Sequence, residues 1–240
     1  MAPSSTSNVL LTAPNEAAVP AGEAAVSLSR VTRVFGVTPA LVRVDLEVPR
    51  GEVLLVRGPN GAGKSTLLAI LATALSPTYG SGSVLGFPLD RGRDEIRRRT
   101  EFIGHATRLY EDLSGRENLR FWARLTGVEP ALVDGALESV GLAAAADERV
   151  RGYSQGMRQR VAVARATLRE PDLLLLDEPY AGLDDEAKEA VDGLVARSAS
   201  RGATVVLATH DPTRGGSAGR TLYMDGGRIV PDPTAGGPRR

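Results

Sequence analysis

The sequence predicts an α/β protein built on a mixed β-sheet core, with an antiparallel β part at its N-terminal end and an inserted helical subdomain. Three stretches carry this prediction. VLLVR at 53–57 is rich in β-forming residues and is followed by a glycine-rich turn and by leucines at helical spacing. LLLL at 173–176 and TVVLA at 204–208 are continuous apolar runs, which are typical of strands buried on both faces of a parallel sheet.

The folded domain is expected to cover residues 25–231. Residues 1–24 contain no lysine or arginine and are rich in serine, threonine, alanine and proline, so we predict a disordered tail. Residues 232–240 favour the same interpretation. Between the first tail and VLLVR, the stretches VSLSRVTRVF and LVRVDLEV alternate as strands do. Phe35 ends the first of them, and the strand pattern by itself favours a core or edge aromatic there.

The glycine-rich turn has the spacing Gly58-x4-Gly63-Lys64-Ser65 between a strand and a helix, which is the context that a phosphate-binding loop requires. The glycines permit backbone conformations that turn successive N–H groups toward an anion. Lys64 would reach the β- and γ-phosphates of a nucleotide, and the Ser65 hydroxyl would bind Mg²⁺. The simpler alternative is a glycine turn that only begins a helix, and the flanking strand and helix argue against it.

From about residue 105 to 153 the pattern changes to mostly helix, which predicts the inserted helical subdomain. Ser114 and Glu117 have the spacing of a capping box that opens a helix. A second helix is predicted at about 130–140. Trp122, the only tryptophan, is expected in the core of the subdomain. The alternative is an anchor that faces a partner, since exposed aromatic residues favour interfaces.

The second half of the chain has titratable residues directly after its apolar strands. Asp177 and Glu178 follow the run at 173–176, and a carboxylate pair there costs free energy unless it binds something. The alternative is a satisfied pair that caps the next helix. His210 ends TVVLATH, at the edge of an open parallel sheet where ligands bind. Ser154 is placed to cap a long helix.

In this order and spacing the motifs resemble those of the ATP-binding subunit of ABC transporters, over roughly residues 25–230. GPNGAGKST is similar to the family's Walker A loop, LLLLDEP to its Walker B motif with the adjoining glutamate, AGLD to its D-loop and THD to its switch histidine. The resemblance implies a P-loop NTPase fold of the ABC-ATPase type, with ATP and Mg²⁺ as cofactors. It implies catalytic roles for Glu178, His210 and His105, and metal contacts from Ser65, Asp177 and His105. It implies nucleotide contacts from Phe35, Gly58, Pro59, Asn60, Gly61, Ala62, Gly63, Lys64, Ser65, Thr66, Ser154, Gly156 and Asp184.

Two places depart from the family's pattern. The signature motif, usually LSGGQ, is YSQGM here, with Gln155 and Met157 in place of a glycine and a glutamine. His105 stands where the family has a metal-sensing glutamine. That histidine, the stretch GHATRLYEDLSGRENLRFW and the helix SQGMRQR are most similar to the haem-exporter ATPase of cytochrome c maturation.

The resemblance also implies two partners. One is a second copy of the chain, in a head-to-tail dimer that sandwiches two ATP molecules between the phosphate loop of one subunit and the signature of the other. Ser154, Gly156 and the helix N-terminus offer hydrogen-bond donors for that contact. The other partner is an integral membrane transporter subunit. We therefore expect a cytoplasmic protein, peripheral on the inner face of the cell membrane.

Composition narrows the function further. Basic and acidic residues balance at 29 each, so no nucleic-acid partner is expected. No apolar run is long enough to span a membrane, and the absence of cysteine excludes disulfides and thiol chemistry. The first hypothesis is an exporter ATPase, with haem export for cytochrome c biogenesis as its most specific form. A drug, lipid or polysaccharide exporter is the alternative. A non-transport ABC ATPase acting on DNA or ribosomes is less favoured, because the chain has one motif set and no heptads.

Overall fold

The computed structural model describes residues 24–104, 106–211 and 218–233. Both predicted tails fall almost wholly outside these residues. The described strands, in chain order, are β1 (Ala24–Phe35), β2 (Thr38–Pro49), β3 (Val53–Arg57), β4 (Tyr79–Val84), β5 (Phe87–Pro88), β6 (Thr100–Ile103), β7 (Leu173–Asp177), β8 (Thr204–Ala208), β9 (Arg220–Asp225) and β10 (Arg228–Val230). The described helices are α1 (Lys64–Leu71), α2 (Arg93–Arg99), α3 (Gly115–Thr126), α4 (Val133–Ser139), α5 (Gln155–Arg169) and α6 (Asp185–Ser200).

The strands form two sheets. The first is antiparallel and has the order β2-β1-β4-β5, which confirms the predicted N-terminal β part and adds two short strands from after α1. The second has the order β10-β9-β3-β8-β7-β6, in which every pair is parallel except β9 with β10. The mixed sheet predicted from the apolar strands is therefore confirmed.

The central strands are apolar throughout because both of their faces are covered. Successive side chains of a strand point to opposite faces. Leu54, Val56 and Val206 accordingly belong to a cluster with α1 and the first sheet. Their neighbours Leu55 and Val205 belong to a cluster with α3, α4, α5 and α6. Layers on both faces leave only the ends of the parallel strands open, and ligands of such sheets bind at the carboxyl ends.

Side-chain caps fix where the long helices begin. The capping box predicted for α3 is present: the Ser114 hydroxyl accepts from Glu117 N–H at 3.1 Å, and Glu117 Oε2 accepts from Ser114 N–H at 2.8 Å. Ser154 caps α5 by accepting from Met157 N–H at 3.2 Å. Asp184 caps α6 through Ala187 N–H. These caps satisfy amide groups that a helix leaves without an internal partner.

The region between β6 and α5 contains α3 and α4, as the change to a helical pattern predicts. The second helix is shorter than expected, since a single 3₁₀ turn at Pro130–Leu132 precedes α4. Trp122 is half-buried, which is intermediate between a core residue and an exposed anchor for a partner. Within the residues that the structure describes, none of the helices is both long and apolar enough to cross a bilayer. The division into a core and a helical subdomain stays an interpretation of the sequence.

Candidate functional site

The turn between β3 and α1 is built on glycines that no other residue could replace. Gly58 and Gly63 have φ angles of 151° and 100°, a region that side chains other than hydrogen rarely allow. A Cβ at Gly58 would lie 2.2 Å from the Met224 carbonyl oxygen, and one at Gly63 would lie 2.6 Å from that of Ala40. The loop therefore follows the path of a phosphate-binding turn and is packed tightly against two other strands.

Lys64 begins α1, but its side chain folds back over the loop. Only 5% of its surface is exposed, and its Nζ donates to the carbonyl oxygens of Gly58 at 2.7 Å and Pro59 at 3.2 Å. Its Nζ also lies 3.6 Å from Glu178 Oε1. The ammonium group is thus held at the mouth of the loop by acceptors that an incoming anion can replace.

The next residue of α1 reaches the end of a second strand. Ser65 Oγ donates to Asp177 Oδ1 at 3.0 Å. Asp177 is the last residue of β7, and only 7% of it is exposed. A hydroxyl and a carboxylate oxygen are both ligands that hard divalent cations prefer, so this pair fits Mg²⁺.

Glu178 links the ends of β7 and β8. Its N–H donates to the Ala208 carbonyl at 2.8 Å, and its φ of 49° turns the chain away from the sheet. His210 Nδ1 lies 2.8 Å from Glu178 Oε2. The histidine side chain is 60% exposed, while that of Glu178 is 19% exposed. Glu178 therefore faces Lys64 with one oxygen and His210 with the other.

Lys64, Ser65 and Glu178 border one cleft of about 360 Å³. Its lining includes Phe35, Glu178 and the loop residues Asn60, Gly61, Ala62, Gly63, Lys64, Ser65 and Thr66. Phe35 is 45% exposed at the end of β1, and the guanidinium of Arg33 lies 4.5 Å from its ring centroid. The exposed ring offers a flat apolar surface beside a set of anion-binding amides, as a base and its phosphates would require.

The predicted signature residues lie elsewhere. Ser154 and Gly156 are at the start of α5 and are not among the residues that line this cleft. They adjoin Asp184 instead: a Cβ at Gly156 would lie 2.8 Å from Asp184 Oδ2. The structure thus gathers the predicted residues into two groups. His105, which was predicted to contact the metal, lies outside the described residues.

Two contacts at the site had no signal in the sequence. Gly227, in the turn between β9 and β10, donates its N–H to the Ala62 carbonyl of the loop at 3.1 Å. Its own carbonyl accepts from Val42 N–H at 2.8 Å. The second contact is that of Arg33 with Phe35. A Gly-Gly pair predicts a turn but not what the turn contacts, and an arginine in an exposed strand predicts no particular partner.

Comparison with known proteins agrees with this geometry. A sequence profile described as "ABC transporter" matches residues 41–181. The daunorubicin/doxorubicin resistance ATP-binding protein DrrA of Streptomyces peucetius is 37% identical over 221 residues, which is 88% of this chain and 66% of that protein. The chain therefore spans about two thirds of the length of this relative.

A second relative is covered more fully. The cytochrome c biogenesis ATP-binding export protein CcmA of Cupriavidus pinatubonensis is 38% identical over 198 residues, which is 82% of this chain and 87% of that protein. Among solved structures, a dimeric ATP-binding cassette in a post-hydrolysis state, bound to ADP and Pi, aligns with a TM-score of 0.78 and 28% identity. The alignment covers 85% of this chain and 96% of that one.

The phosphate-loop geometry, the profile match over more than half of the chain and the length of these alignments lead to one conclusion. This chain belongs to the ABC transporter family and is one of its ATP-binding domains.

Proposed function

We propose that the chain is the ATPase subunit of a membrane exporter and that it hydrolyses ATP with Mg²⁺ in the cleft between Phe35 and Glu178. The observation that carries this proposal is that the start of α1 meets the end of β7. Lys64, Ser65 and Glu178 line one cleft, and Ser65 bonds to Asp177. Mg²⁺ bound there would neutralise charge on the β- and γ-phosphates and orient them.

Each residue of the cleft has a role in this proposal. Phe35 stacks on the adenine, and the loop amides with Lys64 bind the phosphates. Ser65 and Asp177 would hold Mg²⁺. Glu178 is the general base, because its carboxylate lies 3.6 Å from the Lys64 ammonium and thus near the position proposed for the terminal phosphate. His210 orients that carboxylate through the contact of its Nδ1.

A complete site needs a second copy of the chain. Ser154 and Gly156 do not line the cleft of their own subunit, and with the N-terminal amides of α5 they suit the γ-phosphate held by a partner. The dimeric cassette among the structural relatives supports this arrangement. Light scattering of the Glu178→Gln protein tests it: ATP should double the mass, and an unchanged mass would contradict the composite site.

The more specific proposal is haem export for cytochrome c biogenesis. It rests on the relative CcmA, which this chain matches over most of its length, and on the residues around His105. Drug export is the second candidate, because DrrA is equally similar and aligns over 88% of this chain. The membrane partner would contain the substrate path in either case.

Deletion of the gene in its source organism separates these functions. For haem export, haem staining of c-type cytochromes should be lost, and the wild-type gene should restore it while the Glu178→Gln gene should not. Intact c-type cytochromes with increased sensitivity to exported drugs would contradict haem export and favour the second candidate. A deletion strain with intact c-type cytochromes and unchanged drug sensitivity would contradict both proposed export functions.

We further propose that His105 takes the place of the glutamine that senses the γ-phosphate in most relatives. A neutral imidazole offers one acceptor nitrogen, and a protonated one offers none. His105→Gln should therefore keep ATPase stimulation by the membrane partner, and His105→Ala should lose it. Equal stimulation of the wild type and His105→Ala would contradict this role.

A further inference from the structure

Gln155 contacts the segment that follows the proposed general base. It is the first residue of α5 and stands where the usual signature, LSGGQ, has a glycine. Its Nε2 donates to the Ala181 carbonyl oxygen at 3.1 Å. A glycine at this position could not make the bond. The bond therefore belongs to this chain's own sequence and not to the general signature.

The bonded segment is short and directly connected to Glu178. Ala181 N–H donates back to the Glu178 carbonyl at 3.2 Å, so Gln155 is two hydrogen bonds away from the backbone of Glu178. Glu178 N–H in turn donates to Ala208, which fixes the other side of this residue to β8. Gln155 is thus linked to the segment that follows Glu178, and β8 is bonded to Glu178 itself.

Crowding at both ends of the contact limits how the two segments can move independently. A Cβ at Gly182, which has a φ of 68°, would lie 3.1 Å from Gln155 Oε1. A Cβ at Gly156 would lie 2.8 Å from Asp184 Oδ2. The first turn of α5 and residues 181–184 are therefore in contact through the side chains of Gln155 and Asp184.

We propose that Gln155 is a positioning residue that couples the two ATP sites of the dimer by tying the start of α5 to the turn that holds Glu178. This inference rests on the proposed sandwich dimer. In that dimer the start of α5 contacts the ATP of the partner, whereas Glu178 acts on the ATP of its own subunit. When ATP binds at one site, the start of α5 shifts. The bond from Gln155 to Ala181 then shifts the Glu178 carboxylate at the second ATP site.

The test compares three variants of Gln155 in the full chain. Gln155→Met keeps the length of the side chain but removes the donor. Gln155→Glu keeps its shape, also removes the donor, and adds a negative charge that favours a helix N-terminus. Gln155→Lys restores a donor with similar reach. Measured quantities are the ATP dependence of phosphate release, the affinity for ATP at low protein concentration and the melting temperature.

The wild type should show a Hill coefficient between about 1.5 and 2, since the dimer has two sites. Gln155→Met and Gln155→Glu should bring it near 1 and lower turnover about fivefold, the equivalent of one net hydrogen bond. Their affinity for ATP and melting temperature should match the wild type. Gln155→Lys should recover most of the cooperativity.

Other outcomes would overturn the inference. Wild-type cooperativity in Gln155→Met, in a protein whose Glu178→Gln form does dimerise with ATP, would mean that the bond transmits nothing. A lower melting temperature in all three variants would mean that Gln155 only supports the fold. No dimerisation of the Glu178→Gln protein would contradict the proposed dimer itself, and the coupling with it.

Discussion

Replacing Glu178 by glutamine removes one negative charge from the cleft and changes little else. The glutamine keeps an oxygen that can face His210, where the carboxylate now accepts from the backbone N–H at 3.3 Å and contacts Nδ1 at 2.8 Å. It also keeps the volume beside Lys64. The variant therefore isolates the basicity of the side chain from its shape.

The expected loss follows from that single change. A positioned general base contributes about 10²- to 10⁴-fold, so turnover should fall by at least about 10²-fold, or about 2.7 kcal/mol in the activation barrier. Binding of ATP should be kept, because the loop amides and Lys64 remain. Stability should change by less than about 1 kcal/mol. The lost attraction to Lys64, 3.6 Å away, is offset by the relief of a carboxylate that is only 19% exposed.

Single-turnover phosphate release with saturating ATP and Mg²⁺ measures the chemical step, and urea unfolding measures stability. Asp185→Asn is a matched control, since it also neutralises one carboxylate but at an exposed position of α6 that bonds only to Lys188 among the contacts described. Turnover within threefold of the wild type for Glu178→Gln would refute its role as the base. An equal loss in both variants would point to charge and not to basicity.

The remaining predictions concern binding and stability. Lys64→Ala should weaken ATP binding about 10- to 100-fold, the value of lost charged hydrogen bonds, whereas Lys188→Ala should not, as measured by fluorescence titration with a nucleotide analogue. Gly227→Ala should also weaken binding, because its Cβ would lie 2.7 Å from a carbonyl oxygen of β2 and would push the hairpin off the loop; unchanged affinity would contradict that reading. Tyr153→Phe removes a hydrogen bond of 2.5 Å to Ala145 and should cost about 1 kcal/mol in urea unfolding. Burial raises the pKa of Tyr153 above its usual value near 10, so its contribution is present below about pH 10 and is lost as the pH rises through the folded pKa. The difference in the free energy of unfolding between Tyr153→Phe and the wild type should therefore narrow above about pH 10. A difference that stays constant with pH would contradict the raised pKa of Tyr153.

Local features of the fold could be predicted from the sequence because local chemistry determines them. The strand, turn and helix at 53–71 follow from β-forming residues, glycines and leucine spacing within one short segment. The capping box joins Ser114 and Glu117, which are only three positions apart in the chain. The order of the strands is different: β3 lies between β8 and β9, and nothing in β3 specifies these neighbours. Strand order depends on pairings between distant segments, which patterns of apolar residues do not encode.

The candidate site likewise contains residues that the sequence predicts and contacts that it does not. Ser65 and Asp177 were each predicted from their own motif, and their contact at 3.0 Å follows once α1 and β7 share an edge of the sheet. The contact of Gly227 with Ala62 could not be predicted, because both groups are backbone atoms and any residue has them. The bond from Gln155 to Ala181 is similar. Its donor is a side chain, but the acceptor is a carbonyl that no sequence motif marks.

The place of β3 in the sheet has a consequence for how the protein is made. β3 ends at Arg57, but the strands on its two sides, β8 and β9, begin about 150 residues later in the chain. At a synthesis rate of about 5 to 20 residues per second, the strand emerges from a ribosome about 7 to 30 s before its neighbours exist. During that interval both of its edges lack their native partners, whereas the face of Leu54 and Val56 can already pack against the first sheet and α1. A nascent chain of this protein therefore exposes both edges of a central strand until β8 and β9 have been made.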